Sequence, residues 1–324
     1  MGGVVAGNSH GNSFILGHDD SVGCPGDDDG DSNTDWDPVR VTYSAGSNRG
    51  QTIFRKEFYK PDVDELGNCD DMDVKNIVDY GLENFRMSTE SHYKYRYLVD
   101  ALVENGTNKI DLNTQQLVDT FEIDLGRGAK MTAYAGNGFV RGEDGMISEA
   151  DNPNELSLSF LVTYGDFDFL ISGDLIGKHN TKWDSGRLVE VERSSTDAHL
   201  EKLVGRAVKR DRGKIEILHV DHHGADNASE TEFLELINPD IAIISSGNGN
   251  KYDHPTNATL ERLVDAGVYR IIQTSWGNPE DKVSEDVRER QAIYQSDVVI
   301  YSNGDHYYIT TGRWFDASRD YSPE

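Results

Sequence analysis

Cysteine is scarce in this chain: Cys24 and Cys69 are the only two among 324 residues. Two thiols make at most one bridge, so no disulfide framework holds the fold, and the redox compartment stays open. Long apolar runs are missing as well. No stretch approaches the roughly 18 consecutive apolar residues of a membrane span, which argues against a transmembrane segment. The opening residues lack the basic and apolar regions of a signal peptide. Positive charge is in deficit, with 31 Lys and Arg against 58 Asp and Glu and a formal charge of −27. Such a surface repels phosphate polymers and argues against duplex nucleic acid as a partner. It fits a small or surface-presented substrate, or else a saline habitat in which dense carboxylates keep a protein soluble.

What is present suits a loop-rich globular protein. Apolar residues make up 36% of the chain and glycine occurs 32 times. The length allows one large domain or two modest ones, with ample material for a core. The start, Met1 to Gly7, does not read as an opening strand. Asn8 to Arg49 reads as a loop segment, so residues 1–50 are set apart as an acidic Gly/Asp-rich segment or insertion and 51–324 as the domain proper. Within that segment Asp27, Asp29 and Asp31 have the ligand chemistry of a Ca²⁺ loop, but the closing Glu of a twelve-residue loop is absent. A solvated acidic loop is the favoured reading.

Hydrophobic period then predicts a mixed order of elements. Strands are expected at Val39–Tyr43, Val74–Tyr80, Thr120–Leu125 and Lys130–Ala135, and a helix at Tyr93–Asn105 closed by Gly106. Leu156–Tyr164 and Phe167–Ile171 form a hairpin around Gly165-Asp166. Strand–helix alternation follows: helix Asp197–Lys209, strand Ile215–Val220, helix Glu230–Ile237, strand Ile241–Ser245, helix Asn257–Ala266 and strand Tyr269–Thr274. A last hairpin turns at Asn303-Gly304. The fold class is α/β, mixed, with helices outside a mixed sheet.

Three polar clusters fall at strand C-termini, where open α/β sheets place their sites. They are Asp174, then Asp221-His222-His223-Gly224, then Asp253-His254-Pro255. Carboxylate with imidazole suits Zn²⁺, Mn²⁺ or Fe. Taken singly, an Asp placed like Asp174 is usually a turn or helix-cap residue, and His254 alone reads as a loop residue before a ligand. The adjacent His222 and His223 gain little from burial or capping. His199 reads as mid-helix, and His219 lacks a comparable setting.

Asn154-Glu155-Leu156-Ser157-Leu158, Tyr164-Gly165 and Phe169 to Asp174 resemble the metallo-β-lactamase domain of the ComEC competence-protein type. His222-His223-Gly224, Pro239 to Ser245, Tyr252-Asp253-His254-Pro255 and Thr274 to Gly277 continue the match in order, over residues 75–312. The resemblance implies an αββα sandwich lacking its first strands. It makes Asp174 the carboxylate bridging two Zn or Mn ions, and His222 and His223 the histidine ligand region, without deciding which one binds. His254, the catalytic candidate, lines the pocket either as a neighbour of the ligands or as a donor to the substrate's leaving oxygen or phosphate, and Asn154 braces its hairpin. The family's first metal motif, His-x-(His/Asp)-x-Asp-His, is absent, and Met1-Gly2-Gly3 resembles the residues that follow it. The chain is therefore expected to begin just after that motif and to hold fewer than two ions. The implied function is metal-dependent hydrolysis of a phosphoester or related ester by a metal-bound hydroxide. The alternative is a degenerate, non-catalytic binding protein on the same scaffold.

Overall fold

The computed structural model describes residues 3–7, 13–16, 74–81, 99–147, 153–177, 179–184, 187–192, 199–277, 283–295 and 298–311. Strands β1 (Gly3–Gly7) and β2 (Ser13–Leu16) pair antiparallel. β1 also runs parallel to β3 (Val74–Asp79), which runs parallel to β4 (Asn108–Asp111). The result is a four-stranded sheet in the order β2-β1-β3-β4. This corrects the reading of the chain start and of Ser13–Leu16 as loop. Their strand character comes from a partner distant in sequence, and strand propensity depends on such context. The expected strand Val39–Tyr43 and the acidic run with Asp27, Asp29 and Asp31 lie outside the described residues. Residues 99–104 are helical and end at Gly106, whose φ of +98° suits the closing position.

A short helix, α1 (Gln115–Thr120), was not apparent from periodicity; Thr114 Oγ1 caps it by accepting the Leu117 N–H at 3.3 Å. Next come β5 (Glu122–Gly126), β6 (Ala129–Gly136), β7 (Phe139–Val140), β8 (Ser159–Tyr164) and β9 (Phe167–Ile171). They join as antiparallel neighbours, and β8–β9 is the expected hairpin. β10 (His179–Asp184) and β11 (Arg187–Glu192) form a separate hairpin whose polar first arm carried no apolar alternation.

From here the chain alternates as expected. α2 (Leu200–Asp211), β12 (Ile217–His219), α3 (Thr231–Ile237), β13 (Ile241–Ile244), α4 (Asn257–Asp265) and β14 (Arg270–Gln273) follow one another. α5 (Glu285–Arg290) and β15 (Gln291–Ile293) were not foreseen. β16 (Val298–Ser302) and β17 (Tyr307–Thr311) make the final hairpin. His199 is the residue before α2, not a mid-helix position.

The large sheet has nine strands in the order β15-β14-β13-β12-β9-β8-β6-β5, with β7 on β6. From β9 to β15 every pairing is parallel. Leu218, Ala242, Ile244 and Ile271 point to one face, where they meet Val204, Leu234 and Leu263 of the helices. Ile217, Ile241, Ile243 and Ile272 point to the other, under Val298, Ile300 and Ile309 of the last hairpin. Strands covered on both sides need apolar residues at every position, which explains the unbroken Ile241-Ala242-Ile243-Ile244. Farther along, Met131, Ala133 and Phe160 pack against Val78, Tyr80 and Leu112 next to the small sheet. The fold is mixed α/β, with helices on one face of a large sheet and further β-structure on the other. No helix among the described residues is long and apolar enough to cross a membrane.

Candidate functional site

The parallel half of the sheet brings the C-terminal ends of β9, β12 and β13 side by side, and the polar clusters stand there. Asp174 follows β9, only 3% exposed. His222 and His223 follow β12 in a tight 3₁₀ turn, Asp221–Gly224. Both histidines are left-handed, with φ of 49° and 59°. A bulky L-residue in that region costs about 1–2 kcal/mol, and such strain persists only where surroundings over-determine it. Here the His222 N–H donates to the Gly173 carbonyl at 2.9 Å, and the Thr256 N–H donates to the Gly224 carbonyl at 2.9 Å. Gly224 is itself at φ +78°, and a Cβ there would lie 2.7 Å from Pro255 Cβ. The turn is thus pinned between the β9 end and the His254-Pro255 loop.

That pinning turns the two rings apart. His223 Nδ1 donates to the Ser245 carbonyl at 2.9 Å. A carbonyl only accepts, so Nδ1 carries the proton and the lone pair of the neutral ring is on Nε2. Nε2 lies 3.3 Å from Asp174 Oδ1. Two acceptors at this distance call for a cation or a proton between them. Ligands about 2.0–2.1 Å from a tetrahedral ion sit about 3.3–3.4 Å from each other, so the pair fits adjacent corners of one metal's shell. Among the described residues no three His, Cys, Asp or Glu side chains are arranged to hold a metal ion. Asp174 and His223 supply two donors.

His222 is engaged differently. Asn154 Nδ2 donates to its Nε2 at 3.2 Å, and its Nδ1 donates to Asn227 Oδ1 at 3.2 Å. One neutral tautomer satisfies both contacts. Its ring meets that of His254 edge-on, with centroids 5.5 Å apart. All four residues singled out from the sequence, Asp174, His222, His223 and His254, therefore share one site. Asn154, expected to brace its hairpin, reaches instead into that site.

His254 is placed by Asn250, which the sequence reading missed. The Asn250 amide donates to the His254 carbonyl at 2.6 Å, and its Oδ1 accepts the His254 N–H at 3.0 Å. Tyr252 stacks on the His254 ring at 5.8 Å. Burial, followed by the neighbouring His222 and His223, lowers the His254 pKa to about 4, so at neutral pH it offers one N–H and one lone pair. His254 Nδ1 is buried and makes no hydrogen bond to the described residues.

His219 was also passed over. It is buried, hydrogen-bonded through Nε2 to Ser245 Oγ at 3.1 Å, and burial lowers its pKa to about 3. It therefore supports, as a neutral ring, the residue whose carbonyl orients His223. Its place in strand alternation concealed this, because the link runs through the neighbouring strand. Deeper still, Glu201 and Asp221 are fully buried. Glu201 accepts the N–H groups of Ser229 and Glu230 at 2.6 and 2.9 Å. Burial and the proximity of Asp221 push its carboxyl well above the usual range, and burial does the same for Asp221 beside Asp174.

No family model matches the chain. It is 34% identical over 80 residues to Recombination protein 2 of Haemophilus influenzae, a quarter (25%) of this chain and 10% of that protein. It is 36% identical over 61 residues to ComE operon protein 3 of Bacillus subtilis, covering 19% of this chain and 8% of the relative. Competence protein ComA of Neisseria gonorrhoeae is 38% identical over 59 residues, or 18% and 8% of the two chains. The matched stretches span a tenth or less of each relative's length, and the similarity to these proteins is confined to them.

Proposed function

We propose that the chain carries the site of a metal-dependent hydrolase of the metallo-β-lactamase type, acting on phosphoester or related ester bonds, with a role in competence. The observation that carries this reading is the contact of His223 Nε2 with Asp174 Oδ1 at the C-terminal edge of a parallel sheet. Asp174 and His223 would hold the metal, zinc or manganese by donor chemistry. Bound there, a divalent ion acidifies water into a nucleophile near neutral pH.

The chain's own groups do the rest. Ser245 fixes the His223 tautomer, and Asn250 aims His254. The neutral His254 ring would donate an N–H hydrogen bond to the leaving oxygen while keeping its proton. In the net reaction water adds to phosphorus, the bond to the leaving oxygen breaks, and a proton from that water ends on the leaving oxygen. Elemental analysis after dialysis against Zn²⁺ or Mn²⁺, followed by turnover of a chromogenic phosphoester, tests the reading. We expect fewer than two ions per chain and slow turnover, with Asp174→Ala removing both. Full turnover in Asp174→Ala would overturn the assignment. A second reading, a binding protein on the same scaffold, is favoured by the absence of a third donor among the described residues. It predicts no turnover in any metal.

A further inference from the structure

We infer that Lys251 is a specificity-determining residue: its ammonium, held at the mouth of the site on the Tyr252 ring, contacts the anionic oxygens of an incoming phosphoester. The inference rests on the proposed reading of a phosphoester site and names the group that recognises the charge. It requires no metal, and it stands equally if the chain binds such an anion without cleaving it.

Charge sets this position apart. Phosphoesters are anionic, and the chain has a formal charge of −27, so its field opposes their approach. The loops at the C-terminal edge of the sheet, residues 172–177, 220–230, 245–256 and 274–277, contain no Arg, and Lys251 is their one Lys. Elsewhere lysines are engaged by carboxylates: Lys109 by Asp111, Lys130 by Glu122, Lys202 by Glu232 and Lys214 by Asp240, at 2.7 to 2.9 Å. Lys251 makes no ion pair with the described residues, and its Nζ lies over the Tyr252 ring, 4.6 Å from the centroid. A ring face orients an ammonium without neutralising its charge.

The backbone fixes where this cation stands. Asn250 is 6% exposed, and its amide donates to the Gly247 and His254 carbonyls at 3.0 and 2.6 Å. Its Oδ1 accepts the N–H groups of Tyr252 and His254 at 3.3 and 3.0 Å. The Gly249 N–H donates to the Gly277 carbonyl at 2.8 Å and ties the loop to the next one. One buried amide thus gathers the loop around itself and leaves Lys251 and Tyr252 exposed at its tip. Tyr252 stacks on His254, with centroids 5.8 Å apart and planes 19° from parallel. The contacts run inward from the ammonium to Tyr252 and then to His254, the ring proposed to face the leaving oxygen. The flexible lysine stem lets Nζ move from the ring to a phosphate oxygen while the loop stays where it is.

Phenyl phosphate is the probe, titrated by calorimetry into the full chain after EDTA treatment, so that no metal shares in holding the phosphate. Lys251→Met keeps an unbranched side chain on Tyr252 without the charge, and Lys251→Arg restores the charge. We expect the Met variant to bind at least about fivefold more weakly and the Arg variant to stay within about twofold of wild type. Wild-type affinity should fall from low to high salt, and less so in Lys251→Met, because an exposed charge pair is screened. Lys209, exposed in the last turn of α2, is the control for net charge, and Lys209→Met should bind as wild type does. Unweakened binding in Lys251→Met, an equal loss in Lys209→Met, or no binding by the wild-type chain would overturn the inference. Binding that depends on Lys251 in a chain that turns over no phosphoester with any metal would overturn the hydrolase reading and leave the inference standing.

Discussion

At the residue scale the site is governed by what each polar atom faces. Gly224 shows how little room the turn leaves. Its φ of +78° and the 2.7 Å approach of Pro255 make alanine doubly unfavourable there. Gly224→Ala should cost about 1–3 kcal/mol, the range for strained backbone, read as a lower denaturation midpoint at unchanged slope. His219 and His254 give a pH dependence whose sign is fixed. Both are depressed from 6.5, to about 3 and about 4, so the fold holds them neutral. Their contribution is complete above pH 6.5 and is lost as pH falls toward those values, at up to about 1.4 kcal/mol per pH unit for each group. His219→Gln keeps a hydrogen-bonding side chain toward Ser245 without the titration. Stability profiles between pH 7 and 3 should therefore be flatter in that variant, and an unchanged slope would contradict the assignment.

Among the elements, α2 does more than cover the sheet. Leu200, Val204, Ala207 and Val208 bury one stripe of it in the core, as its sequence period required. Its first turn also drives Glu201 into the interior, where the carboxylate takes the N–H groups of Ser229 and Glu230 just before α3. The helix thereby fixes the loop beyond the histidine turn. The raised Glu201 pKa means that the folded state holds a proton the unfolded chain releases. Stability should be greatest below the unfolded value near 4.5 and decline as pH rises toward the folded one. Glutamine can still accept one backbone N–H and can donate to Asp221 without ionising. Glu201→Gln should accordingly melt higher than wild type at pH 8 and similarly at pH 4.5. A lower melting point at pH 8 would show that the carboxylate is needed charged.

For the whole molecule the dominant quantity is the formal charge of −27. Self-repulsion of that size destabilises a compact state and is screened by salt, whose Debye length shrinks to about 3 Å at 1 M. The melting temperature should rise between low salt and 1 M NaCl. The same field should make small chromogenic esters better substrates than duplex DNA at low salt. Efficient cleavage of duplex DNA at low salt would reverse that ranking.

Periodicity and motif order carried much of this in advance. The β8–β9 hairpin, the strand–helix alternation from α2 to β14, and the location of Asp174, His222, His223 and His254 at strand ends were all legible, because they follow from local apolar spacing and turn chemistry. β1 and β2 were not, since a short glycine-rich stretch becomes a strand only when a distant one lies beside it. Nor were α1, α5 and the β10–β11 hairpin, whose short or polar segments carry little periodic signal. The roles within the site lay further out of reach. Adjacent histidines look equivalent in a sequence. What separates them is the direction of each ring and the identity of its neighbours: Asp174 and Ser245 for one, Asn154 and Asn227 for the other. Those neighbours come from four separate segments of the chain, and only tertiary packing brings them to the same turn.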